Sequence, residues 1–264
     1  MKPLAQALLS AALAIAGCGA QAAVQTLNSS QEGGFWSPLG YADQSGSLAG
    51  TAGPKELASG PGGIGGMFSN RAYVSFDLTG QSDPITAATL RIKLTSYNSV
   101  GPGSFQGGNW TGASNTSESF GIFDVSTTQA ALTAAYTNPG GPIGTPNPAG
   151  LTIWQDLGGG TQFGSFSASA AAVGSFIDIT LSSAAIAALN ASLGSTISFG
   201  LGYTGSAFSG AGGLFGAPLV NQTITIDTLD TGHELVITSV PEPSAAWLAL
   251  PGVLLVLARR RPRA

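Results

Sequence analysis

The sequence predicts a mainly β protein whose body folds as an antiparallel sandwich of two sheets with one short helix, between an N-terminal signal helix and a C-terminal membrane helix. Three observations support this fold class. Apolar and polar residues alternate in short segments, Gly, Pro and Asn separate those segments, and each end carries an apolar run. The predicted parts are a signal peptide over 1–23, one β domain over 24–239 and a tail over 240–264.

Seven segments of the body are predicted strands because they alternate or form short apolar runs. Successive side chains of a strand point to opposite faces, so alternation indicates one buried face. The predicted strands are 73–78, 90–95, 120–125, 176–181, 197–201, 223–229 and 234–238. We expect these residues to face inward: Val74, Phe76, Leu90, Ile92, Leu94, Ile197, Phe199 and Leu201.

One helix is predicted to follow Ser182, a residue type that caps a first turn well. Ile186, Leu189 and Leu193 then recur at spacings of three and four residues, and Gly194 ends the segment. We expect this helix to close one end of the sandwich. A shorter helical turn is predicted over 128–135. The breaker-rich stretches 50–66, 101–112, 139–150 and 205–216 are predicted loops.

Composition excludes some classes of function. Only 8% of the residues are charged, against a norm of about 25%. The body holds four cations and twelve acidic residues, which argues against nucleic acid as a partner. The only cysteine, Cys18, lies in the predicted signal peptide, so the body can form neither a disulfide nor a thiolate metal site.

The N-terminal 23 residues have the three parts of a secretory signal peptide. Lys2 supplies the charged start, 4–15 is apolar, and Ala20 and Ala22 form the small-x-small pattern that signal peptidase accepts. We therefore expect cleavage near Ala22 or Ala23. The stretch that ends at Cys18 also resembles a lipobox, in which Cys18 would be lipidated and become the first mature residue. The sequence leaves both forms of cleavage open.

The C-terminal tail also has three parts. Val240-Pro241-Glu242-Pro243 precedes an apolar stretch over 245–258, and a basic cluster follows it. A helix of roughly 15 residues rises about 22 Å, short of a hydrocarbon core of ~30 Å. This length predicts a temporary anchor, with an unprocessed membrane anchor as the alternative. The basic cluster, which favours the cytoplasmic side, is Arg259, Arg260 and Arg261.

These three parts, in this order at the chain end, closely resemble the PEP-CTERM sorting signal. The resemblance implies an exported substrate of exosortase, a membrane cysteine protease of exopolysaccharide-producing Gram-negative bacteria, which removes the tail. It implies passage through the inner membrane, transient anchoring there and a final place outside the cell or on its surface, in a matrix or biofilm. The expected partners are signal peptidase and exosortase as processing enzymes, and extracellular polysaccharide.

Parts of the body carry a second resemblance. The segment 70–78, with Phe76-Asp77-Leu78, and the segment 85–92 resemble secreted β-sandwich modules of the DNRLRE kind. The segments 120–125 and 154–166 are similar to stretches common in the bodies of PEP-CTERM proteins. This resemblance implies a jelly-roll-like sandwich and identifies no catalytic residue.

No residue pattern predicts catalysis, so we expect no enzymatic activity, no cofactor and no metal site. His233 is the only histidine, beside Gly232 in a turn-like stretch, and we predict a solvated turn residue there. Glycosidases need only two carboxylates at a suitable distance, which leaves a carbohydrate-active hydrolase as an alternative. The candidate carboxylate pairs are Glu118 with Asp124 and Asp227 with Asp230.

Three tryptophans are candidate sugar contacts, because aromatic rings in exposed loops can stack on sugar faces. They are Trp36, Trp110 and Trp154. Packing within the domain is the alternative for all three, since Trp buries a large area. The sequence thus predicts an exported, non-enzymatic extracellular or surface protein, with a carbohydrate-binding module as the main alternative.

Overall fold

A computed structural model describes residues 22–38, 56–64, 68–106, 109–112, 116–134, 148–205, 219–227 and 233–240. Over these ranges the chain is mainly β, as predicted. The strands are β1 (Ala23–Asn28), β2 (Gln31–Pro38), β3 (Glu56–Ile64), β4 (Phe68–Asp77), β5 (Ile85–Gln106), β6 (Asn109–Gly112), β7 (Glu118–Asp124), β8 (Gln162–Ala168), β9 (Phe176–Thr180), β10 (Thr196–Tyr203), β11 (Leu219–Asp227) and β12 (His233–Ser239).

The strands form two antiparallel sheets that share the long strand β5. In the first sheet the order is β1-β12-β5-β9, and β5 contributes its first half, up to Lys93. In the second sheet, β5 pairs from Leu94 onward with β11 and then with β6. From β11 the pairing continues through β3, β4, β10 and β7 to β8, while β2 lies on the other side of β4.

The main hydrophobic core draws side chains from both sheets. Leu90 and Leu235 come from the first sheet, and Phe76 and Phe199 come from the second. The rings of Phe76 and Phe199 lie 6.0 Å apart between centroids, close enough for favourable aromatic contact. All eight residues that alternation placed inward are buried, which confirms that part of the prediction.

The predicted helix is present as α3 (Ser183–Ala191). The Ser182 side chain accepts a hydrogen bond from the amide of Ala185, and Gly194 follows the helix with a φ of 76°. Asn190 docks the helix on β5, because its amide group both accepts from and donates to the backbone of Ile85, at 2.8 Å each.

Two other short helices flank the second sheet. The turn predicted over 128–135 forms α1 (Gln129–Thr133), capped by the Thr128 hydroxyl. Helix α2 (Pro148–Asp156) was not predicted, although Pro is well suited to a first helical position. A short 3₁₀ turn spans Ala170–Ala172. None of the helices in the described ranges is long and apolar enough to cross a membrane.

Two of the predicted loops contain strands instead. Strand β3 lies within the stretch 50–66, and the end of β5 together with β6 occupies most of 101–112. Both stretches are rich in Gly, which favours turns when judged locally. Pairing with β11 supplies the hydrogen bonds that hold β3 extended, and pairing between the end of β5 and β6 does the same for the second segment.

Candidate functional site

The two ends of the body meet at one end of the first sheet. Strand β1 begins at Ala23, and its antiparallel pairing with β12 places Ala23 opposite Ser239. The amide of Val240 then donates to the carbonyl of Pro84 at 3.1 Å. Ala22 and Ala23 are exposed. Ala22 and Ala23, two of the three predicted signal-cleavage residues, therefore lie beside Val240, the first residue of the tail motif.

Most of the predicted processing residues lie outside the described residues. These are Cys18, Ala20, Pro241, Glu242, Pro243, Arg259, Arg260 and Arg261. The predicted signal helix and membrane helix lie there too.

Of the three tryptophans, only Trp154 has a described side chain. It is half-buried on α2, with the guanidinium carbon of Arg71 3.9 Å from its ring centroid. Nη1 of Arg71 also donates to the carbonyls of Trp154 and Gln155, at 2.8 and 3.0 Å. Burial lowers the pKa of Arg71. The backbones of Trp36 and Trp110 lie in β2 and β6, and their side chains are outside the described part.

His233 is fully buried, so the prediction of a solvated turn residue is wrong. It occupies the first inward position of β12, followed by buried Leu235 and Ile237. Its Nδ1 lies 2.7 Å from Oε1 of Glu32, and the Ser29 hydroxyl donates to that same oxygen. Because Ser29 contacts the carboxylate and not the imidazole, this is not the arrangement of an activated serine nucleophile.

The carboxylate of Glu118 is also buried and fully engaged. Its oxygens accept hydrogen bonds from the hydroxyls of Ser99 and Tyr203, at 2.5 and 2.9 Å. Desolvation raises the pKa of Tyr203, and the hydrogen bond and negative charge of Glu118 raise it further. Tyr203 therefore acts as a persistent donor to this carboxylate.

The carboxylate pair Glu118 and Asp124 does not have glycosidase geometry. The two residues stand at opposite ends of β7, which at about 3.3 Å per residue separates them by about 20 Å. Glycosidases place their two carboxyl groups within roughly 10 Å. Of the second candidate pair, Asp227 ends β11 and Asp230 lies outside the described residues. Within the described ranges, no three acidic, histidine or cysteine residues cluster as metal ligands would.

A small open cleft of about 170 Å³ lies where the end of β7, the start of α1, the end of α3 and the start of β10 meet. Its lining is mostly polar, with Asp124 as its single charged residue, and it includes the hydroxyls of Ser192 and Thr196. Val125 and Ala188 supply apolar surface, whereas the side chain of Ile197 is buried in the main core. The cleft draws on four elements distant in sequence, and no local motif indicates it.

No protein-family model matches the chain, and no curated protein matches it.

Proposed function

We propose that this chain is an exported, non-enzymatic extracellular or surface protein that is cut at both ends of its body and then resides in an extracellular matrix. The observation that carries the proposal is the pairing of Ala23 with Ser239. With this pairing, Ala23 and Val240, the residue that begins the predicted tail motif, lie at the same end of one sheet, which supports cutting at both places.

Neighbouring ends suit a precursor that is held at a membrane. With both apolar segments leaving from one place, the same end of the body faces the membrane before and after signal cleavage. The rest of the body then points away from the bilayer and can fold while the tail is still attached. The order in which the two cuts occur does not alter which surface faces away from the membrane.

The chemistry of the tail supports cutting close to the body. The amide of Val240 donates the last backbone hydrogen bond of the described chain, and Pro241 has no N–H with which to extend the strand pairing. Glu242 is the only charged residue between Val240 and Arg259. Its carboxylate strongly favours water over the hydrocarbon core, which keeps the Pro-Glu-Pro motif at the aqueous surface where a protease can reach it.

We further infer that the two sheets pack face to face as a jelly-roll-like sandwich. The main core supports this packing, because its buried residues include Leu90 and Leu235 from one sheet and Phe76 and Phe199 from the other. Such a core suits a body without disulfides that must persist outside the cell, since the only cysteine is Cys18 in the signal segment.

The processing proposal is tested by producing the full chain in a Gram-negative host that has an exosortase and in the same host lacking it. Membrane and soluble fractions are separated, and the intact mass of the protein is measured in each. We expect the first host to yield a chain that begins near Ala23 and lacks Arg259 to Ala264. The second host should retain the whole tail in the membrane fraction.

Glu242→Ala tests the motif itself, and Ser244→Ala serves as a matched control one residue beyond it. We expect Glu242→Ala to accumulate uncut in the membrane fraction while Ser244→Ala is processed normally. A wild-type chain that keeps its tail through Ala264 in the host with exosortase contradicts the proposal. A mature chain that starts at lipidated Cys18 would retain the C-terminal part of the proposal and replace the N-terminal part.

A further inference from the structure

The cleft beside Asp124 is a preformed surface, held by hydrogen bonds from behind. Asp156 at the end of α2 accepts from the Thr127 amide and hydroxyl, at 2.7 and 2.6 Å, and from the Ser126 hydroxyl at 2.8 Å. These bonds fix the segment that links β7 to α1. The backbone amide of Asp124 donates to the carbonyl of Thr161 at 2.9 Å.

The opposite wall is fixed in a similar way. The Ser198 hydroxyl donates to Oε1 of Gln129 at 3.0 Å and lies 2.8 Å from the hydroxyl of Ser75. Nε2 of Gln129 donates onward to the side chain of Gln31. Because the walls are ordered before any ligand arrives, binding need not bear the entropy cost of ordering them.

Three polar side chains of the cleft remain available to a ligand. Within the described part of the chain, neither the Asp124 carboxylate nor the hydroxyls of Ser192 and Thr196 form a side-chain hydrogen bond. A carboxylate accepts hydrogen bonds, whereas hydroxyls both donate and accept. Such a set complements a ligand that itself carries several hydroxyls.

Charge and size narrow the ligand class further. Asp124 is the only charged residue in the lining, so a negatively charged ligand would meet an unpaired carboxylate. The volume of about 170 Å³ is below the roughly 300–1,000 Å³ of sites for drug-sized ligands. The apolar side chains of Val125 and Ala188 can contact the C–H groups of a single ring.

We infer that this cleft binds one neutral sugar unit, either as a free monosaccharide or as the end of a polysaccharide. Asp124 accepts hydrogen bonds from two sugar hydroxyls, and Ser192 and Thr196 bind others. This goes beyond the proposed processing and does not depend on it, because no cleft residue lies in the segments that would be cut.

The binding test uses the ¹⁵N-labelled protein as the exporting host produces it, titrated by NMR with methyl glycosides of glucose, galactose and mannose. Glucuronate is the anionic counterpart, and a glucose trisaccharide represents a chain end. We expect at least one neutral glycoside to bind with a Kd on the order of 1 mM, as befits about a dozen heavy atoms. The shifted amides should lie in 124–129 and 188–198, with glucuronate binding at least tenfold more weakly.

Variants identify the cleft as the binding place. We expect Asp124→Ala to weaken binding by about tenfold or more and Thr196→Val by several-fold, because each removes hydrogen bonds to the sugar. Thr180→Val changes an exposed threonine of β9 outside the cleft and should leave the affinity unchanged. Amide spectra and thermal unfolding verify that each variant is folded.

The outcomes separate the possibilities. Tighter binding of the trisaccharide assigns the cleft to a chain end, and equal binding assigns it to the free sugar. No saturable binding by any neutral glycoside overturns the inference, as does equal affinity for glucuronate or an undiminished affinity in folded Asp124→Ala. The mass of the mature protein is a separate readout, so failure here leaves the processing proposal standing.

Discussion

Gly200 on β10 lies where the backbone of Leu157 crosses the strand. A Cβ at Gly200 would lie 2.2 Å from the carbonyl oxygen of Leu157 and 2.8 Å from its carbonyl carbon. The obstacle is backbone, which cannot rotate away as the end of a side chain could. Overpacking a core typically costs about 1–3 kcal/mol, and here the segment after α2 must shift by more than an ångström. We therefore expect Gly200→Ala to lower the free energy of unfolding by about 3 kcal/mol.

For a body of this size, that loss corresponds to a decrease in Tm of roughly 6–12 °C. The assay is guanidinium and thermal unfolding of the purified protein, monitored by circular dichroism. Gly80→Ala is the matched control, because a Cβ at Gly80 meets no atom within 4 Å. It should change the stability by less than about 0.5 kcal/mol. If Gly200→Ala has the same Tm and the same denaturant midpoint as the wild type, the close approach of Leu157 to β10 is incorrect.

Two further predictions concern a buried histidine and a partly buried tyrosine. Glu32→Ala should lower the free energy of unfolding by about 1–3 kcal/mol, because it leaves the buried imidazole of His233 without its partner. Changing both residues to Leu should restore most of that stability. Denaturant titration measures both variants, and an equal loss of stability in the double variant would contradict the pairing. The raised pKa of Tyr203 means that the folded state keeps this proton at a pH where the unfolded state loses it, so stability should be unaffected below about pH 10 and fall above it. Tyr203→Phe should make that alkaline fall shallower, and an unchanged fall would assign it to other groups.

Alternation predicted the inner faces well because it reports burial directly. Phe76 and Leu90 alternate with polar neighbours because one face of each strand packs in the core. Strand β3 escaped prediction because its Gly-rich sequence has no strand preference of its own. Its conformation depends on β11, which is more than 150 residues away in sequence. Long-range pairing of this kind leaves no local signal.

The buried polar residues differ in how far the sequence could have indicated them. The inward position of His233 follows from its alternation with Leu235 and Ile237, whereas the preceding glycine indicates a turn. By contrast, nothing in the sequence pairs Glu118 with Tyr203 across 85 positions. The cleft is equally hidden, because Asp124 and Thr196 meet only after β7 and β10 have paired.

The membership of β5 in both sheets affects how the body unfolds. Its residues up to Lys93 pair within one sheet and those from Leu94 onward within the other, without a break in the chain. If β5 separates from one sheet, its hydrogen bonds to the strands of the other sheet are also strained. Because β5 belongs to both sheets, a cut or a substitution at one end of this strand should destabilise both sheets together.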